Sequence, residues 1–345
     1  MSISGLVEAA LAPMGALYGA VGAARAAAYR RGWFACTRLA GPVISVGNLS
    51  VGGTGKTPLV ARLAELLRQD GLPVSILSRG YGGNHRGTAL VVSDGQSVLA
   101  SALVAGDEAV MLARRLPEVV VAIGPRRDRV GLFVEARYGA RAHILDDGFQ
   151  HLRLARDLDL LCLSGDDLHD RPLPAGRLRE FRSAAARADA VFVTDVDEQR
   201  FASLRDSTDV LRDRPVFRYS RRVLGFFEAA DESPGCATDE PESAFLVSGI
   251  ARPERFAADV RASGVDVLGH AAFPDHHRLS APELDTVIAE AQRVGAAALV
   301  TTAKDWVRWP ESYPPVRVLT LEIRAEIDDE QALRGQLRLV TGRMR

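Results

Sequence analysis

The feature that most constrains the fold is a glycine-rich stretch that separates an apolar run from a helix-forming run. Val43–Val46 is short and rich in β-branched residues, and Leu59–Gln69 has the apolar period of a helix. Between them residues 46–58 read VGNLSVGGTGKTP. A strand, a glycine-rich loop and a helix in this order predict a phosphate-binding loop, because close backbone N–H groups and a helix N-terminus both favour an anion.

The loop is predicted to bind the phosphates of a nucleoside triphosphate. Lys56 supplies a mobile positive charge, and Thr57 supplies a hydroxyl group for Mg²⁺. Lys56 is one of two lysines among 43 basic residues, the other being Lys304. The residues predicted to bind the nucleotide are Ser50, Val51, Gly52, Gly53, Thr54, Gly55, Lys56 and Thr57. The pattern GxxxxGK[ST] fails only at its first position, which is Ser50.

Beyond the loop, apolar runs of strand length alternate with runs of helix length. The predicted strands of this region are Val43–Val46, Val74–Leu77, Val119–Ile123, His143–Leu145, Leu158–Leu163 and Ala190–Val193. The alternation predicts an α/β fold with a parallel sheet of the P-loop NTPase type and helices on both faces. We predict an N-terminal helix region over 1–40, a P-loop domain over 41–210, a linker over 211–243 and a second, smaller α/β domain over 244–345.

Composition excludes other classes of protein. The 43 basic and 44 acidic side chains give a net charge of −1, which disfavours a nucleic-acid partner. The three cysteines are far apart and form no CxxC pair, so they indicate neither a disulfide framework nor a zinc site. Nothing in the sequence indicates an obligate protein partner.

The N-terminal region combines a helical apolar period with small residues. Large apolar residues recur every three or four positions from Ile3 to Val21, but Pro13 and three glycines interrupt the run. The run falls short of the roughly 20 strongly apolar residues that span a bilayer. Two alternatives stay open: a buried helix, or a helix in the membrane interface with a basic and aromatic margin. That margin comprises Arg25, Arg30, Arg31, Trp33, Phe34 and Arg38.

Three further motifs place acidic or histidine side chains at the ends of elements. Asp146 and Asp147 follow an apolar strand, where a P-loop protein holds an acidic partner for Mg²⁺; an ordinary Asp-Gly turn is the alternative. Asp107 and Glu108 open a predicted helix, where negative charge also matches the helix dipole. Phe273–Arg278 contains one Asp, two His and one Arg before another helix, which favours a functional site.

In sequence order, these motifs resemble those of the tetraacyldisaccharide 4'-kinases, the lipid A 4'-kinases of Gram-negative bacteria. The shared motifs are VGNLSVGGTGKTP (46–58), SRGYG (78–82), GDE (106–108), DDGFQH (146–151), LPAGRLRE (173–180), FPDH (273–276) and TTAKD (301–305). The resemblance runs from about Gly41 to Asp305, and the apolar N-terminus is similar as well. Ala109 and Ala303 depart from it, since many members have Pro and Glu there.

The resemblance implies a P-loop kinase that uses ATP and Mg²⁺ in lipid A biosynthesis. Its acceptor would be the 4'-hydroxyl of a tetraacylated disaccharide 1-phosphate, at the cytoplasmic face of the inner membrane. The N-terminal helix would make the enzyme peripheral or monotopic. A P-loop ATPase or GTPase that regulates a membrane process without a lipid acceptor is the alternative function, and a non-catalytic nucleotide-binding scaffold is a third.

The resemblance also implies roles for individual residues. The family pattern makes Asp107 the base for the 4'-hydroxyl and His276 its partner from the second domain. Lys56 and Asp147 complete the implied catalytic set. The Mg²⁺ candidates are Thr57, Asp146 and Glu108, and the residues expected to bind anionic substrate groups are Arg79, Arg127 and Arg177. The run Arg126–Arg129 offers three arginines for one matching position, and Lys304 has no assigned role.

Overall fold

The structure, a computed structural model, describes residues 3–52, 55–167, 170–194, 196–207, 211, 214–229, 237–310 and 316–344. Its strands are β1 (Val43–Asn48), β2 (Val74–Ser78), β3 (Leu90–Asp94), β4 (Val120–Ile123), β5 (Ala142–Asp146), β6 (Leu158–Ser164), β7 (Ala190–Thr194), β8 (Val216–Glu228), β9 (Ser243–Ser248), β10 (Asp266–Ala272), β11 (Ala298–Thr302) and β12 (Val318–Ile327). Its α-helices are α1 (Ile3–Arg30), α2 (Lys56–Gln69), α3 (Ala102–Ala105), α4 (Asp107–Arg115), α5 (Arg127–Tyr138), α6 (Glu198–Ser207), α7 (Pro253–Ala262), α8 (Ala281–Arg293), α9 (Ala303–Trp306) and α10 (Glu330–Thr341). Short 3₁₀ helices span Arg182–Arg187 and Gly342–Met344.

The chain forms two units that interleave in sequence. Unit 1 comprises Met1–Arg79, Ala122–Ser220 and Ala325–Arg345. Unit 2 comprises Gly80–Val121 and Arg221–Arg324. The predicted domains were consecutive, whereas the chain leaves the P-loop unit after β2, returns to it within β4, leaves again within β8 and returns within β12. Part of the predicted linker, residues 230–236, lies outside the described residues.

Unit 1 is built on a parallel sheet with the order β8-β7-β6-β1-β5-β2. Strand β1 lies at its centre, and Val46 pairs with Leu160 of β6 and with Asp146 of β5. Every residue of β1, β2 and β5 is buried, as expected for strands covered on both faces. The predicted α/β class is therefore confirmed, and the pairing places the carboxyl ends of β1 and β5 side by side.

Phe149 of the DDGFQH motif belongs to the core of unit 1 and is fully buried. A Cβ atom on Gly47 would lie 2.5 Å from the Cβ of Phe149, so only glycine permits this approach. The guanidinium of Arg187 lies 4.5 Å from the ring centroid of Phe149. The same cluster contains Leu49, Leu161, Leu163, Leu178, Ala185, Ala188, Val191, Val193, Phe201, Leu204 and Leu211.

Unit 2 contains a parallel sheet with the order β10-β9-β11-β12. Alternate residues of β9 belong to two different core clusters: Leu246 packs with α7, and Val247 packs with α8. Since side chains alternate across a strand, the two helices cover opposite faces of the sheet. Helix α8 begins with a capping box, in which the Ser280 N–H donates to Glu283 Oε2 at 2.9 Å.

Helix α1 packs through its small residues and exposes its large ones. A Cβ atom on Gly19 would lie 2.6 Å from the Phe181 ring, so the glycine face fits closely against unit 1. By contrast, the side chains of Leu17 and Val21 are 68% and 62% exposed. Met14 and Tyr18 continue the exposed stripe. The alternative of a buried helix is therefore wrong for these residues.

Among the described residues, no helix is both long enough and apolar enough to cross a membrane.

Candidate active site

The glycine-rich loop joins β1 to α2 in unit 1. Gly52 and Gly55 have φ angles of +118° and +74°, in the left-handed region that favours glycine. Helix α2 begins at Lys56, and the Tyr219 hydroxyl donates to the Gly55 carbonyl at 2.9 Å. The loop thus has the strand–loop–helix arrangement of a phosphate-binding site. The predicted nucleotide ligands Gly53 and Thr54 lie outside the described residues.

The LPAGRLRE segment pairs with the entrance to this loop. The Val51 N–H donates to the Arg177 carbonyl at 2.8 Å, and the Arg179 N–H donates to the Leu49 carbonyl at 2.6 Å. Ser50 and Leu178 form an isolated antiparallel bridge. The LPAGRLRE segment therefore contacts the loop although it lies more than 100 residues downstream. Spacing along the sequence does not reveal this contact.

Asp147 is held by two cations at the end of β5. Its Oδ1 lies 3.4 Å from Lys56 Nζ, and its Oδ2 accepts from Arg179 Nη1 at 2.8 Å. Burial alone would raise the pKa of Asp147, but the charges of Lys56 and Arg179 outweigh it, so the pKa is lowered and the carboxylate stays ionised. Arg179 was missed by sequence reasoning, although it lies two residues after Arg177 in the same motif.

Asp146 is buried next to Asp147 and is tied to β2. The Ser78 hydroxyl donates to Asp146 Oδ2 at 3.1 Å. Because β2 and β5 are neighbours, the serine that ends β2 reaches the aspartate that ends β5. This contact fixes one predicted Mg²⁺ ligand at the same sheet edge as the phosphate loop.

Arg127 is the arginine of the Arg126–Arg129 run that faces the carboxylates. It is buried, and its pKa is lowered first by burial and then by the positive charge of Arg79. Asp146 and Asp147 act on it in the opposite direction. Two predicted substrate-binding arginines, Arg79 and Arg127, therefore lie close enough to interact electrostatically with each other, and Arg127 also interacts with the carboxylates of Asp146 and Asp147.

The other arginines near this region have different partners. Arg126 pairs with Asp128, with Nη2 and Oδ2 2.6 Å apart. Arg177, the third predicted substrate-binding arginine, is half exposed and pairs with Asp170 at 2.8 Å. Its charge is thus paired with an aspartate that precedes the LPAGRLRE segment, and its role in substrate binding stays a prediction.

The free energy of unfolding is expected to fall as the pH is lowered from about 6.5 to about 4, because of His151. Burial and then the charge of Arg127 lower the pKa of His151 from 6.5 to about 4, although Asp128 opposes them. Between these values the unfolded chain binds a proton that the folded chain does not, which costs about 3 kcal/mol of stability by pH 4. In urea titrations at pH 7 and pH 4, His151→Asn should lose correspondingly less stability than wild type. Equal losses in both proteins would contradict this assignment.

Unit 2 contains the predicted Asp107–His276 pair. His276 Nδ1 lies 3.0 Å from Asp107 Oδ2, and the Asp107 side chain is only 4% exposed. Asp107 is the first residue of α4, and the preceding Gly106 has a φ angle of +88° and no room for a Cβ atom against the Tyr81 carbonyl. The expectation that the pair is divided between two domains is not met, since both residues belong to unit 2.

Hydrogen bonds to backbone carbonyls hold the loop that carries His276. The His276 N–H donates to the Gly249 carbonyl at 3.0 Å, and Arg278 Nη2 donates to the Ala102 carbonyl at 3.1 Å. His276 itself has a φ angle of +63°, which a non-glycine residue seldom adopts. Among the described residues, Asp147 and Glu118 share this property. Two of these three strained residues are predicted site residues, in keeping with the clustering of strain at functional sites.

Glu108 and Lys304 also meet in unit 2. Lys304 Nζ lies 3.4 Å from Glu108 Oε1 and 3.9 Å from Asp275 Oδ1. The lysine that had no assigned role is therefore an ion-pair partner of two acidic residues that adjoin Asp107 and His276. Glu108, predicted as a Mg²⁺ ligand, has an ammonium group beside its carboxylate and lies in a different unit from Thr57 and Asp146.

Fold and site together define a class of protein: a P-loop nucleotide-binding enzyme whose second unit contains a buried aspartate paired with a histidine. The family described as Tetraacyldisaccharide-1-P 4'-kinase matches residues 7–341. The chain therefore belongs to the tetraacyldisaccharide 4'-kinase family.

Individual relatives agree with this assignment. The tetraacyldisaccharide 4'-kinase of Desulfotalea psychrophila is 40% identical over 302 residues, covering 86% of each chain. That of Koribacter versatilis is 37% identical and covers 96% of this chain and 99% of its own. Among solved structures, an LpxK from Aquifex aeolicus in complex with ATP is similar, with a TM-score of 0.81 and 31% identity, covering 97% of this chain and 99% of that one.

Proposed function

We propose that the chain transfers the γ-phosphate of ATP to the 4'-hydroxyl of a tetraacyldisaccharide 1-phosphate in lipid A biosynthesis. The observation that carries this proposal is the buried Asp107 carboxylate, 3.0 Å from His276. A nucleotide hydrolase that acts as a regulator also has to deprotonate its nucleophile, a water molecule, so the choice of a kinase rests on the family to which the chain belongs. The experiment that tests it is transfer of labelled γ-phosphate to the lipid acceptor, measured against release of free phosphate.

The nucleotide part of the proposal rests on unit 1. The loop from Ser50 and the N-terminus of α2 supply backbone donors and a positive dipole for the phosphates. Lys56 adds a compact positive charge, which Asp147 orients through the ion pair at 3.4 Å. Arg179 holds Asp147 from its other oxygen. Positioning and charge neutralisation, rather than covalent chemistry, then account for most of the rate.

The acceptor part of the proposal rests on unit 2. Asp107 accepts the proton of the attacking hydroxyl, and His276 donates its Nδ1–H to Asp107 Oδ2 and fixes the orientation of the carboxylate. His276 is half exposed while Asp107 is buried, so the histidine shields one side of the base from water. In unit 1, Arg79 and Arg127 supply forked donors for anionic groups of the substrates.

Mg²⁺ is the proposed cofactor, held by Thr57 and Asp146. Hydroxyl and carboxylate oxygens suit this ion, which usually binds one or two carboxylates together with substrate phosphates. No group of three or more His, Cys, Asp or Glu residues in the described part of the chain is arranged to hold a metal. When bound, Mg²⁺ would supply positive charge to the transferring phosphate. Glu108 is not included, because Lys304 lies beside its carboxylate.

Helix α1 is proposed to dock the enzyme on the inner membrane from its cytoplasmic face. Its exposed stripe is apolar, and its C-terminal end carries exposed arginines and Trp33. A four-chain lipid acceptor stays in the bilayer, so the enzyme has to reach it there. An apolar stripe with a basic, aromatic margin suits the interface between headgroups and acyl chains.

The double variant Leu17→Glu with Val21→Glu is expected to bind anionic vesicles about 100-fold more weakly, since each side chain contributes about 1.5 kcal/mol or more when buried, or about 3 kcal/mol together. Both side chains are largely exposed and contribute little to the core, so turnover of detergent-solubilised acceptor should persist. The measurement is co-sedimentation with vesicles. Leu339→Glu is the matched control, because Leu339 is 83% exposed on α10. If the double variant sediments as wild type does, the docking proposal is wrong.

A further inference from the structure

The segment that follows β11 surrounds a buried ion pair in unit 2. Asp305 Oδ1 accepts from Arg308 Nη2 at 2.7 Å and from the Gly249 N–H at 3.1 Å. Its Oδ2 accepts from the Thr302 hydroxyl at 2.7 Å. Asp305 is thereby fixed from three directions, and it fixes Arg308 in turn.

Arg308 connects this ion pair to the loops around the Asp107–His276 pair. Its side chain is 2% exposed. Nη1 donates to the His277 carbonyl at 3.0 Å, and both Nη atoms donate to the Gly249 carbonyl at 3.3 Å. The Gly249 carbonyl is the same group that accepts the N–H of His276. The guanidinium therefore holds two backbone carbonyls next to His276: that of His277, and that of Gly249, which accepts the His276 N–H.

Arg308 also contacts Asp107 directly. Its Nε lies 3.5 Å from Asp107 Oδ2, the oxygen that faces His276 Nδ1. Neither of these contacts involves Oδ1. The Arg308 Nε–H itself donates to the Lys304 carbonyl at 3.2 Å, so the contact with Asp107 is electrostatic. A cation and an imidazole beside Oδ2 favour one rotation of the carboxylate and leave Oδ1 to accept a proton.

We propose that Arg308 is a positioning residue for the Asp107–His276 pair. It holds Oδ2 of Asp107 by charge and holds the His276 loop by hydrogen bonds to two carbonyls, so that Oδ1 is aimed at the acceptor hydroxyl. The inference rests on the proposed role of Asp107 as base. Lysine, with one point charge, has no planar fork to make these contacts together, so the role is specific to a guanidinium.

The test uses full-length Arg308→Ala with guanidinium or urea added to the assay. We expect kcat to fall about 100-fold, since a small misplacement of a reacting group has an effect of this size, while the KM for ATP stays within about twofold. Millimolar guanidinium should raise the kcat of this variant at least about tenfold by filling the cavity left by the side chain. Urea, its neutral isostere, should not raise it.

Arg115→Ala is the matched control. Arg115 is a partly buried arginine of the same unit that pairs with Glu322 and the Ile323 carbonyl, so guanidinium should not increase its kcat.

A second readout does not depend on turnover. The ring resonances of His276, followed by NMR of protein labelled at histidine, should shift in Arg308→Ala and return with guanidinium but not with urea. If Arg308→Ala does not fold, Arg308→Lys decides in its place: a lowered kcat with unchanged KM for ATP supports the inference, and a kcat equal to wild type overturns it.

The outcomes separate this inference from the proposed function. If Asp107→Asn keeps its kcat, the proposed role of Asp107 as base fails, while the His276 resonances still test whether Arg308 holds the pair in place. If Asp107→Asn is inactive but Arg308→Ala matches Arg115→Ala in kcat and in guanidinium response, the positioning inference is overturned and the proposed function stands.

Discussion

Replacement of Asp107 by Asn is expected to lower kcat by roughly 10²- to 10⁴-fold, the range usual for loss of a general base. The amide has nearly the same shape but cannot take up the proton of the acceptor hydroxyl. The KM for ATP should stay within about twofold, because the phosphate loop belongs to the other unit and its residues are unchanged. Initial rates at varied ATP and saturating lipid acceptor measure both constants.

Asp275→Asn is the matched control for this experiment. Asp275 also belongs to unit 2, and its Oδ2 lies 3.8 Å from His276 Nε2, but its side chain is more exposed than that of Asp107. The same change of charge at this position should alter kcat by less than about tenfold. Equal losses in kcat and ATP affinity for Asp107→Asn would point to a structural role instead of a base.

Lys56→Ala is expected to lower kcat/KM for ATP by about 10³-fold or more. The change removes the ammonium group that neutralises the β- and γ-phosphates, and it also removes one of the two cations that hold Asp147. Arg179 still pairs with Asp147 at 2.8 Å, so the fold of the loop entrance should persist. Steady-state kinetics and calorimetric titration with ATP measure the two consequences separately.

Two further variants sharpen the Lys56 result. Lys56→Arg keeps the charge but replaces a compact ammonium by a planar fork, so it should recover only part of the lost activity. Lys304→Met removes the other lysine, which pairs with Glu108 and Asp275 in unit 2, and should leave ATP binding unchanged. Tight ATP binding and near-normal turnover in Lys56→Ala would mean that this loop is not the nucleotide site.

The parts predicted well from the sequence are those that local patterns determine. Strand β1, the glycine-rich loop and α2 follow one another within 27 residues, so apolar period and glycine content suffice to predict them. The same holds for the acidic end of β5. The fold class follows from the repeated alternation of such segments.

The parts that were missed depend on contacts between distant segments. Arg179 reaches Asp147 from 32 residues away, and Arg308 reaches Asp107 from about 200 residues away. In a chain with 41 arginines, no local pattern distinguishes these two. The membership of Asp107 and His276 in one unit was missed for a related reason, since the chain leaves unit 1 and returns to it twice.

Helix α1 shows a different limit of sequence patterns. Its apolar period predicted a helix correctly but could not tell whether the large or the small face packs against the protein. The glycines decide this question, because Gly15 and Gly19 allow the helix to approach Pro172 and Phe181 closely. Leu17 and Val21 are left on the outside.

Transfer of radiolabel from γ-labelled ATP to a tetraacyldisaccharide 1-phosphate in mixed micelles is the decisive test of the kinase assignment. Label is expected to enter the lipid phase in wild type, the product should carry a second phosphate at the 4' position, and transfer should be lost in Asp107→Asn. Label that appears only as free phosphate, at the same rate with and without the lipid acceptor, would contradict it.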